Sequence, residues 1–493
     1  MKAGVELKLE TIIKGSRFTV VKGDKNIGIT GIENDSRRIS NGNMFIAIEG
    51  FTVDGHDYID KAIESGAICI VVEKDILLAR DDITLIKVDN TLDALSRYSS
   101  IFYGEPSRKM KVIGITGTNG KTSITYMVES IFREANKDTG IIGTMGSRFA
   151  GKIIDNKNTT PDSLIIQRQL GNMLKAGMEF CAMEVSSHAL ELKRVEDVDF
   201  QVGVFTNLSE EHLDFHETME SYYNSKLKLF NRAKGYNIVN GDDIYGKRIL
   251  QDVENAVPII TYGIDGAYDI YATDVVCHMR GVDFTLNTWE GSIPIKLNIL
   301  GEFNVYNALA AMACGMVYGI DLPTIKKGIE NIKNIKGRFE IIPVEEDYSV
   351  IIDYAHTPDG LEKVLRTIDQ FAKGKKIVVF GAGGNRDRTK RPIMGETVAR
   401  HADLSVVTSD NPRFEDPDDI IEDVLVGVRR VKGNYVAITD RKEAIKYALS
   451  IAKPDDIILL AGKGHETYTI IGDKIIPFDE RKIVLDILED MYR

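Results

Sequence analysis

The chain has 493 residues, enough for about three domains, with 43% hydrophobic residues to fill real cores and 28% charged residues. A net charge of −12 and an isoelectric point near 5.4 exclude a general nucleic-acid or anionic-membrane binder, so any polyanionic substrate must meet a locally basic pocket. No apolar run approaches the ~20 residues that span a bilayer, the stretch MKAGVELKLETIIKG lacks a signal-peptide core, and Cys69, Cys181, Cys277 and Cys314 show neither disulfide nor zinc spacing, so the expected location is the cytoplasm.

Residues 1 to 108 alternate strand and helix patterns at Met44–Ile48, Asp57–Ser65, Ile68–Val72, Leu85–Val88 and Leu92–Phe102. They predict a small α/β domain. Its most pointed stretches are Asn34-Asp-Ser-Arg37 and the segment from Gly50 to Gly55, although Asp-Ser-Arg by itself reads as a helix cap or turn. Tyr103-Gly-Glu-Pro-Ser-Arg108 breaks both periods and marks a boundary.

The second domain opens on Gly114-Ile-Thr-Gly-Thr-Asn-Gly-Lys-Thr-Ser123. Lys111-Val-Ile113 before it is a short apolar strand. Ile124, Met127, Val128, Ile131 and Phe132 after it fall at helical spacing. Strand, glycine-rich turn, Lys-Thr and helix form a phosphate cradle, with backbone N–H groups and the helix N-terminus facing the anion. Lys121 is expected to reach the terminal phosphates and the Thr122 hydroxyl to ligate Mg²⁺. The loop is a shortened variant, because Ile115 stands where the common spacing has glycine and Gly117 precedes Gly120 by three. The bland alternative is a turn that binds nothing. It is outweighed because Gly-Lys-Thr follows a strand and opens a helix. The chain is expected to bind a nucleoside triphosphate.

Strands of parallel type follow at Phe180–Val185, Val202–Thr206 and Asn237–Val239, and their alternation with helices predicts a parallel sheet covered on both faces. Between Ile259 and Leu300, alternating Val282, Phe284 and Leu286 with a turn at Trp289-Glu-Gly-Ser292 predict antiparallel edge strands. Phe303 to Tyr318 is a long apolar helix. Near Lys336-Gly-Arg338 a third α/β unit begins, with strands at Val350–Ile352, Ile377–Phe380, Leu404–Val407, Tyr435–Ile438 and Ile457–Leu460. Gly381-Ala-Gly-Gly-Asn-Arg386 resembles a dinucleotide fingerprint, but Arg386 stands at its third glycine, so nicotinamide binding is not expected.

Three side chains after the phosphate loop carry chemistry. Glu184 ends an apolar strand beside the loop, where a metal-binding carboxylate belongs; a surface glutamate would not have such apolar flanks. His212, in Asn207-Leu-Ser-Glu-Glu-His-Leu-Asp-Phe-His216, is by itself as readily structural as functional. Lys226 falls amid Met219, Tyr222, Tyr223 and Phe230 at about 100° per residue, whereas Lys228 points away. A buried lysine must be paired, neutral or modified, and a neutral amine adds CO₂ to give a metal-binding carbamate. From the residues alone, a lysine snorkelling to water remains the simpler outcome.

In order along the chain, Gly117-Thr-Asn-Gly-Lys-Thr122, Met183-Glu-Val-Ser-Ser187, Thr206-Asn-Leu208, His212-Leu-Asp214, Phe303-Asn-Val-Tyr-Asn307, Gly337-Arg338 and Asp353-Tyr-Ala-His356 resemble the Mur ligases over nearly the whole length. These are ATP-dependent enzymes that extend the peptide of the peptidoglycan precursor. Asn158-Thr-Thr160, Asp410-Asn-Pro-Arg413 and Gly462-Lys-Gly-His-Glu466 are similar to the members that add meso-diaminopimelate to UDP-N-acetylmuramoyl-L-alanyl-D-glutamate.

The resemblance implies an α/β protein of three domains. A small uridine-nucleotide domain would span 1–108, a central P-loop-type domain with a mostly parallel sheet 109–336, and a dinucleotide-binding-like domain with the amino-acid site 337–493. It implies ATP contacts at Gly117, Thr118, Asn119, Gly120, Lys121, Thr122, Ser123, Asn307, Arg338 and Asp353. UDP-sugar contacts would be Ser36, Asn158, Thr159, Thr160, Ser186 and Arg194. Thr122, Glu184, His212 and a carbamylated Lys226 would hold Mg²⁺, with Lys121, Lys226 and His212 in the catalytic set. Arg386, Asp410, Asn411, Pro412, Arg413, Gly462 and Glu466 would hold diaminopimelate. A monomer without nucleic-acid or membrane partners is expected. Leu192 departs from the family, where that position can be glutamine, and cannot make the same polar contact.

Asp410-Asn-Pro-Arg413 follows a strand's carboxyl end, where open α/β sheets bind ligands. The Arg413 fork matches a carboxylate, which the far end of diaminopimelate has and that of L-lysine lacks. The alternative is a structural Asn-Pro turn with Arg413 facing solvent. Ligation of L-lysine, a folylpolyglutamate synthase-like ligase, and a nucleotide-dependent switch protein are the competing functions.

Overall fold

The structure is a computed structural model that describes residues 6–50, 53–254, 256–278 and 280–491. The first five residues, and Phe51 and Thr52 of the Gly50–Gly55 segment, lie outside the described residues. Lys111–Thr116 is buried along nearly its whole length, as a parallel strand with both faces covered must be. It lies inside a sheet of eleven described strands, between Phe180–Glu184 and Phe200–Phe205, and pairs in parallel with both. Register puts Glu184 opposite Ile115 and Phe205 opposite Thr116, so three strands deliver their carboxyl ends to one place.

Both faces of that sheet are packed. Helices Lys121–Glu134 and Phe303–Val317 bury Ile124, Met127, Ile131 and Leu309 on one side. Helices Ser163–Lys175 and Met219–Arg232 bury Leu170, Met173, Tyr223 and Phe230 on the other. The edge differs from expectation. Ile259–Ile264 and Ile270–His278 still pair in parallel, and antiparallel pairing starts only with Gly281–Thr288. The short connection between the first two is pinned by Asp269, whose carboxylate accepts from Thr261 N and Oγ1 at 2.8 and 2.7 Å. The Trp289-Glu290 turn closes the expected hairpin between Gly281–Thr288 and Gly291–Leu297.

The amino-terminal sheet orders Thr19–Lys22, Thr84–Lys87, Ala67–Val72, Asn43–Ile46 and Gly31–Glu33, parallel except for the first. It docks on the central unit: Arg168 Nη2 donates to Glu33 at 2.7 Å and Nε to the Tyr103 hydroxyl at 2.9 Å. The Tyr103–Arg108 stretch is a packed joint, with Pro106 and Ser107 buried and Ser107 Oγ accepting from Asp199 N.

The third sheet orders Glu340–Ile342, Ser349–Asp353, Ile457–Ala461, Lys376–Phe380, Leu404–Val407 and Tyr435–Ala437, with an antiparallel pair only at the first edge. The five strands expected here are all present, each ending within a residue or so of expectation. Their carboxyl ends lead into Gly381–Arg386, Asp410–Arg413 and Gly462–Glu466. Among the described residues no helix is long and apolar enough to cross a membrane.

Candidate active site

The phosphate loop is strained open in the way its glycines permit. Gly117 and Gly120 have φ of 146° and 93°, and a Cβ would lie 1.8 Å from Thr206 Oγ1 at the first and 2.3 Å from Asn307 Oδ1 at the second. Lys121 begins the following helix, and its ammonium donates to the carbonyls of Gly117 and Thr118 at 2.8 and 2.7 Å. Burial lowers its pKa, with Arg338 adding to that and Glu211 and Glu184 opposing it. A cavity of about 660 Å³ opens over the loop, a size suited to a bound small molecule. Thr118, Asn119, Gly120, Lys121, Thr122, Ser123, Asn307, Arg338 and Asp353 line it, together with Glu184, His212 and Thr159. Gly117 stands behind this wall.

Glu184 is 1% exposed and fully engaged. Its carboxylate accepts from Thr122 Oγ1 at 3.0 Å, and from Thr144 N and Oγ1 at 2.9 Å each. Arg338, from the start of the third unit, donates to the same Thr122 hydroxyl at 3.1 Å and stacks on Tyr354. His212 sits in a left-handed backbone (φ 58°), its ring edge-on to His188 at 4.8 Å. Among the described residues, no three His, Cys, Asp or Glu side chains converge on one point.

Lys226 is 1% exposed and does not snorkel. Its Nζ donates to the Gly117 carbonyl at 3.0 Å and lies 4.6 Å above the Tyr222 ring, directly beneath the phosphate loop. Burial drives its pKa far down, and the nearby Lys121 charge drives it further. Lys228 points to solvent and pairs with Glu191, as its helical position predicts.

The third unit closes over the loop. Asp359 Oδ2 accepts from Asn119 Nδ2 at 3.1 Å and from Ser209 Oγ at 3.0 Å, and His356 lies 3.5 Å from Glu211. Burial alone would raise the Glu211 pKa, but His356, His212 and Lys121 outweigh it and hold the carboxylate ionised. Asp353, 7% exposed, is tied to backbone N–H of Phe339 and Ala355 at 2.7 Å each.

At the far strand ends, Arg413 Nη1 donates to the Gly384 carbonyl at 2.7 Å, and its backbone is left-handed at φ 54°. Arg413 is half-buried rather than facing solvent. Its pKa is lowered by burial and by Arg386, both side chains lying beside Gly383, and is supported by Asp410 and Glu466. Two arginines held against each other's repulsion, with two carboxylates close by, suit a ligand carrying both a carboxylate and an ammonium.

Three family descriptions match the chain: "Mur ligase family, catalytic domain" over 28–103, "Mur ligase middle domain" over 115–315, and "Mur ligase, glutamate ligase domain" over 337–464. A relative from Clostridium tetani named UDP-N-acetylmuramoyl-L-alanyl-D-glutamate–2,6-diaminopimelate ligase is 46% identical, covering 99% of this chain and 100% of its own. The chain belongs to the Mur ligase family. A relative of the same name from Geobacillus thermodenitrificans is 43% identical over 97% of this Mur ligase and 98% of its own length. A solved structure of a ligase of that name superposes with a TM-score of 0.70 at 29% identity, covering 99% and 100% of the two chains. A folylpolyglutamate synthase of Mycobacterium tuberculosis, solved with ADP and AMPPCP, shares the fold at TM-score 0.64 and 19% identity, covering 75% of this chain and 92% of its own.

Residues expected at the UDP-sugar are brought together in part. Thr160 is the centre: its Oγ1 donates to the Glu184 carbonyl at 2.8 Å, it accepts from Ser186 N at 3.0 Å, and its carbonyl accepts from Arg194 at 3.0 Å. The Thr159 hydroxyl lies 3.1 Å from that of Thr144, whose proton goes to Glu184, and Asn158 is exposed nearby. Ser36 lies on the amino-terminal unit, at the start of a short helix capped by Asp35, the turn role that Asp-Ser-Arg suggested. Leu192 caps the helix Ser187–Glu191 with backbone alone. Glu211, Thr144, Asp359 and Tyr354 were not anticipated, although Glu211, flanking His212, and Tyr354, between Asp353 and His356, lie inside segments the sequence singled out.

Burial also sets an acid response of this Mur ligase. His216 is lowered to about 4 by burial and the neighbouring His188 and Lys226 charges, and His465 to about 3 by burial with Arg338 and Lys336, both from 6.5. Below 6.5 the unfolded chain binds protons that the folded chain refuses, so stability falls as pH drops and levels off only near 3 to 4. The urea midpoint is expected to fall from pH 7 to pH 5, and to fall less in His465→Gln; an identical fall in both proteins would contradict this.

Proposed function

We propose that this Mur ligase joins meso-diaminopimelate to UDP-N-acetylmuramoyl-L-alanyl-D-glutamate, cleaving ATP to ADP and phosphate through an acyl-phosphate intermediate. The observation that carries the reading is that Arg413 and Arg386 meet beside Gly383, with the Asp410 and Glu466 carboxylates near enough to support the Arg413 charge, in the unit that also closes over the phosphate loop. We assign residues 1–108 to the uridine nucleotide, 109–336 to ATP and 337–493 to the amino acid, in a cytoplasmic monomer. Relatives at 43% to 46% identity carry the diaminopimelate name, whereas likeness to folylpolyglutamate synthases extends to the fold alone.

The site residues fit a hard divalent cation, since the Thr122 hydroxyl and Glu184 carboxylate lie 3.0 Å apart at the cavity wall. Thr122, Glu184, His212 and Lys226 as carbamate would hold it. When bound, Mg²⁺ supplies the charge that lets a carboxylate approach the γ-phosphate. Lys121, whose ammonium donates to the Gly117 and Thr118 carbonyls, shares that task. The γ-carboxylate of the D-glutamyl residue attacks the γ-phosphate, the bond to the bridging oxygen breaks and ADP leaves. The free amine of diaminopimelate then attacks the acyl carbon, and phosphate leaves. Asp359, reaching Asn119 and Ser209 from the third unit, helps keep water from the acyl phosphate.

Phosphate release with the UDP-dipeptide and a panel of amino acids tests the reading. Meso-diaminopimelate is expected to be preferred over L-lysine by tens to thousands-fold in kcat/KM, since an unfilled charge-assisted contact costs roughly 2–5 kcal/mol. Arg413→Ala should shrink that ratio. Equal efficiency for the two amino acids would refute the assignment, and ATP hydrolysis indifferent to both co-substrates would mark a switch protein.

A further inference from the structure

Lys463 is the most enclosed charged group near the amino-acid site to which the reaction above gives no part. It follows the strand Ile457–Ala461, and its side chain is 0% exposed. An ammonium withdrawn from water needs close partners. Its Nζ donates to Asn411 Oδ1 at 3.2 Å and to the Tyr468 carbonyl at 3.0 Å. Asp410 Oδ1 lies 3.2 Å away and Glu466 Oε2 4.0 Å away. Asp410, Asn411 and Glu466 all belong to the two loops assigned to diaminopimelate, and Tyr468 adjoins them.

Asn411 shows what this ammonium does. The carboxamide oxygen takes two donors, Lys463 Nζ and Ile470 N, the latter at 3.0 Å. With its oxygen so committed, its amide nitrogen must point the other way, where it donates to Glu466 Oε2 at 3.0 Å. One amide plane therefore fixes the direction of a carboxylate. Without the ammonium, the amide loses a donor that sets its orientation, and Asp410 and Glu466 face each other with less positive charge between them. Asp410 Oδ1 is buried and receives no well-directed hydrogen bond, so the Lys463 charge 3.2 Å away is what compensates it.

We propose that Lys463 is a positioning residue for the incoming amino acid. It orients Asn411, and through it Glu466, and holds Asp410 beside them. The ammonium of the far end of diaminopimelate then meets two carboxylates of fixed separation, while Arg413 and Arg386 take the carboxylate of that end. The inference rests on the amino-acid site proposed above.

Lys463→Met removes the charge and keeps the length. Its KM for meso-diaminopimelate is expected to rise at least about tenfold, with KM for ATP and for the UDP-dipeptide within about threefold of the unmodified enzyme. In a double-mutant cycle, Asn411→Ala should add little to Lys463→Met, because one acts through the other. Lys463→Gln, which retains donors, should lie between, and it replaces the Met variant if that variant does not fold. A folded variant with unchanged KM for diaminopimelate overturns the proposal, as does an equal rise in all three KM values. Failure of both variants to fold also overturns it, by placing Lys463 in the service of the fold. The unmodified enzyme separates the two readings: loss of its preference for diaminopimelate over L-lysine removes the site itself, whereas an intact preference with an unaffected Lys463→Met removes this inference alone.

Discussion

Lys121→Ala is expected to lower ATP-dependent ligation by about a thousandfold or more, with the fold intact. Removing one preorganised donor to developing charge typically costs ~10²–10³ in rate, and Lys121 carries a full charge. The half-buried ammonium donates to the Gly117 and Thr118 carbonyls at the head of the helix and lines the cavity over the loop. Circular dichroism should be unchanged, since Lys121 bonds only loop carbonyls. Phosphate release in the presence of both co-substrates is the measurement. A rate within tenfold of the unmodified enzyme would sink the nucleotide assignment.

Lys226→Arg is the second large effect, expected at about 10²–10³-fold in kcat. A neutral amine adds to CO₂ with loss of a proton and becomes an anion, while guanidinium does not. The amine is under pressure to be neutral, being 1% exposed and beside the Lys121 charge. Protein equilibrated with ¹³C-bicarbonate should show a carbamate carbon that disappears in Lys226→Arg. Native protein without that signal, alongside an active Arg variant, would rule the modification out.

What the sequence made legible is what is contiguous or periodic. The loop from Gly117 to Ser123 is one unbroken segment, and strand, turn and helix follow each other along the chain, so the cradle could be drawn in full. Lys226 was legible in direction because a helix repeats at 3.6 residues, and Lys228 served as its control. Its depth was not, because snorkelling and burial share the same periodicity; the loop carbonyl above it decides. Glu211 and Asp359 draw their environments from partners 145 and 240 residues away in His356 and Asn119, a relation no local pattern records. Thr19–Lys22 escaped for another reason. It is a half-exposed edge strand whose only sheet partner among the described residues is Thr84–Lys87, so its own sequence shows little of the alternation that burial imposes.

The hairpin formed by Tyr468–Ile471 and Lys474–Pro477 has a consequence for the rhythm at which this enzyme breathes. It stands apart from the six-stranded sheet as a two-stranded ribbon, its second strand exposed throughout, and such ribbons are marginal by themselves. Yet it holds Arg413 by the backbone, accepting from Arg413 N at Ile470 O and donating from Gly472 N to Arg413 O at 2.7 Å. Amides of Lys111–Thr116, sealed between two cores, should exchange with solvent deuterium only when the whole unit unfolds. Those of Arg413 and Gly472 should exchange together and far sooner, through local opening. The arginine proposed to read the substrate is thus moored to a lightly anchored ribbon, while the phosphate loop follows a strand sealed inside another unit. A lineage could change its amino acid by altering a few residues at the ribbon without disturbing the strand on which ATP is cleaved.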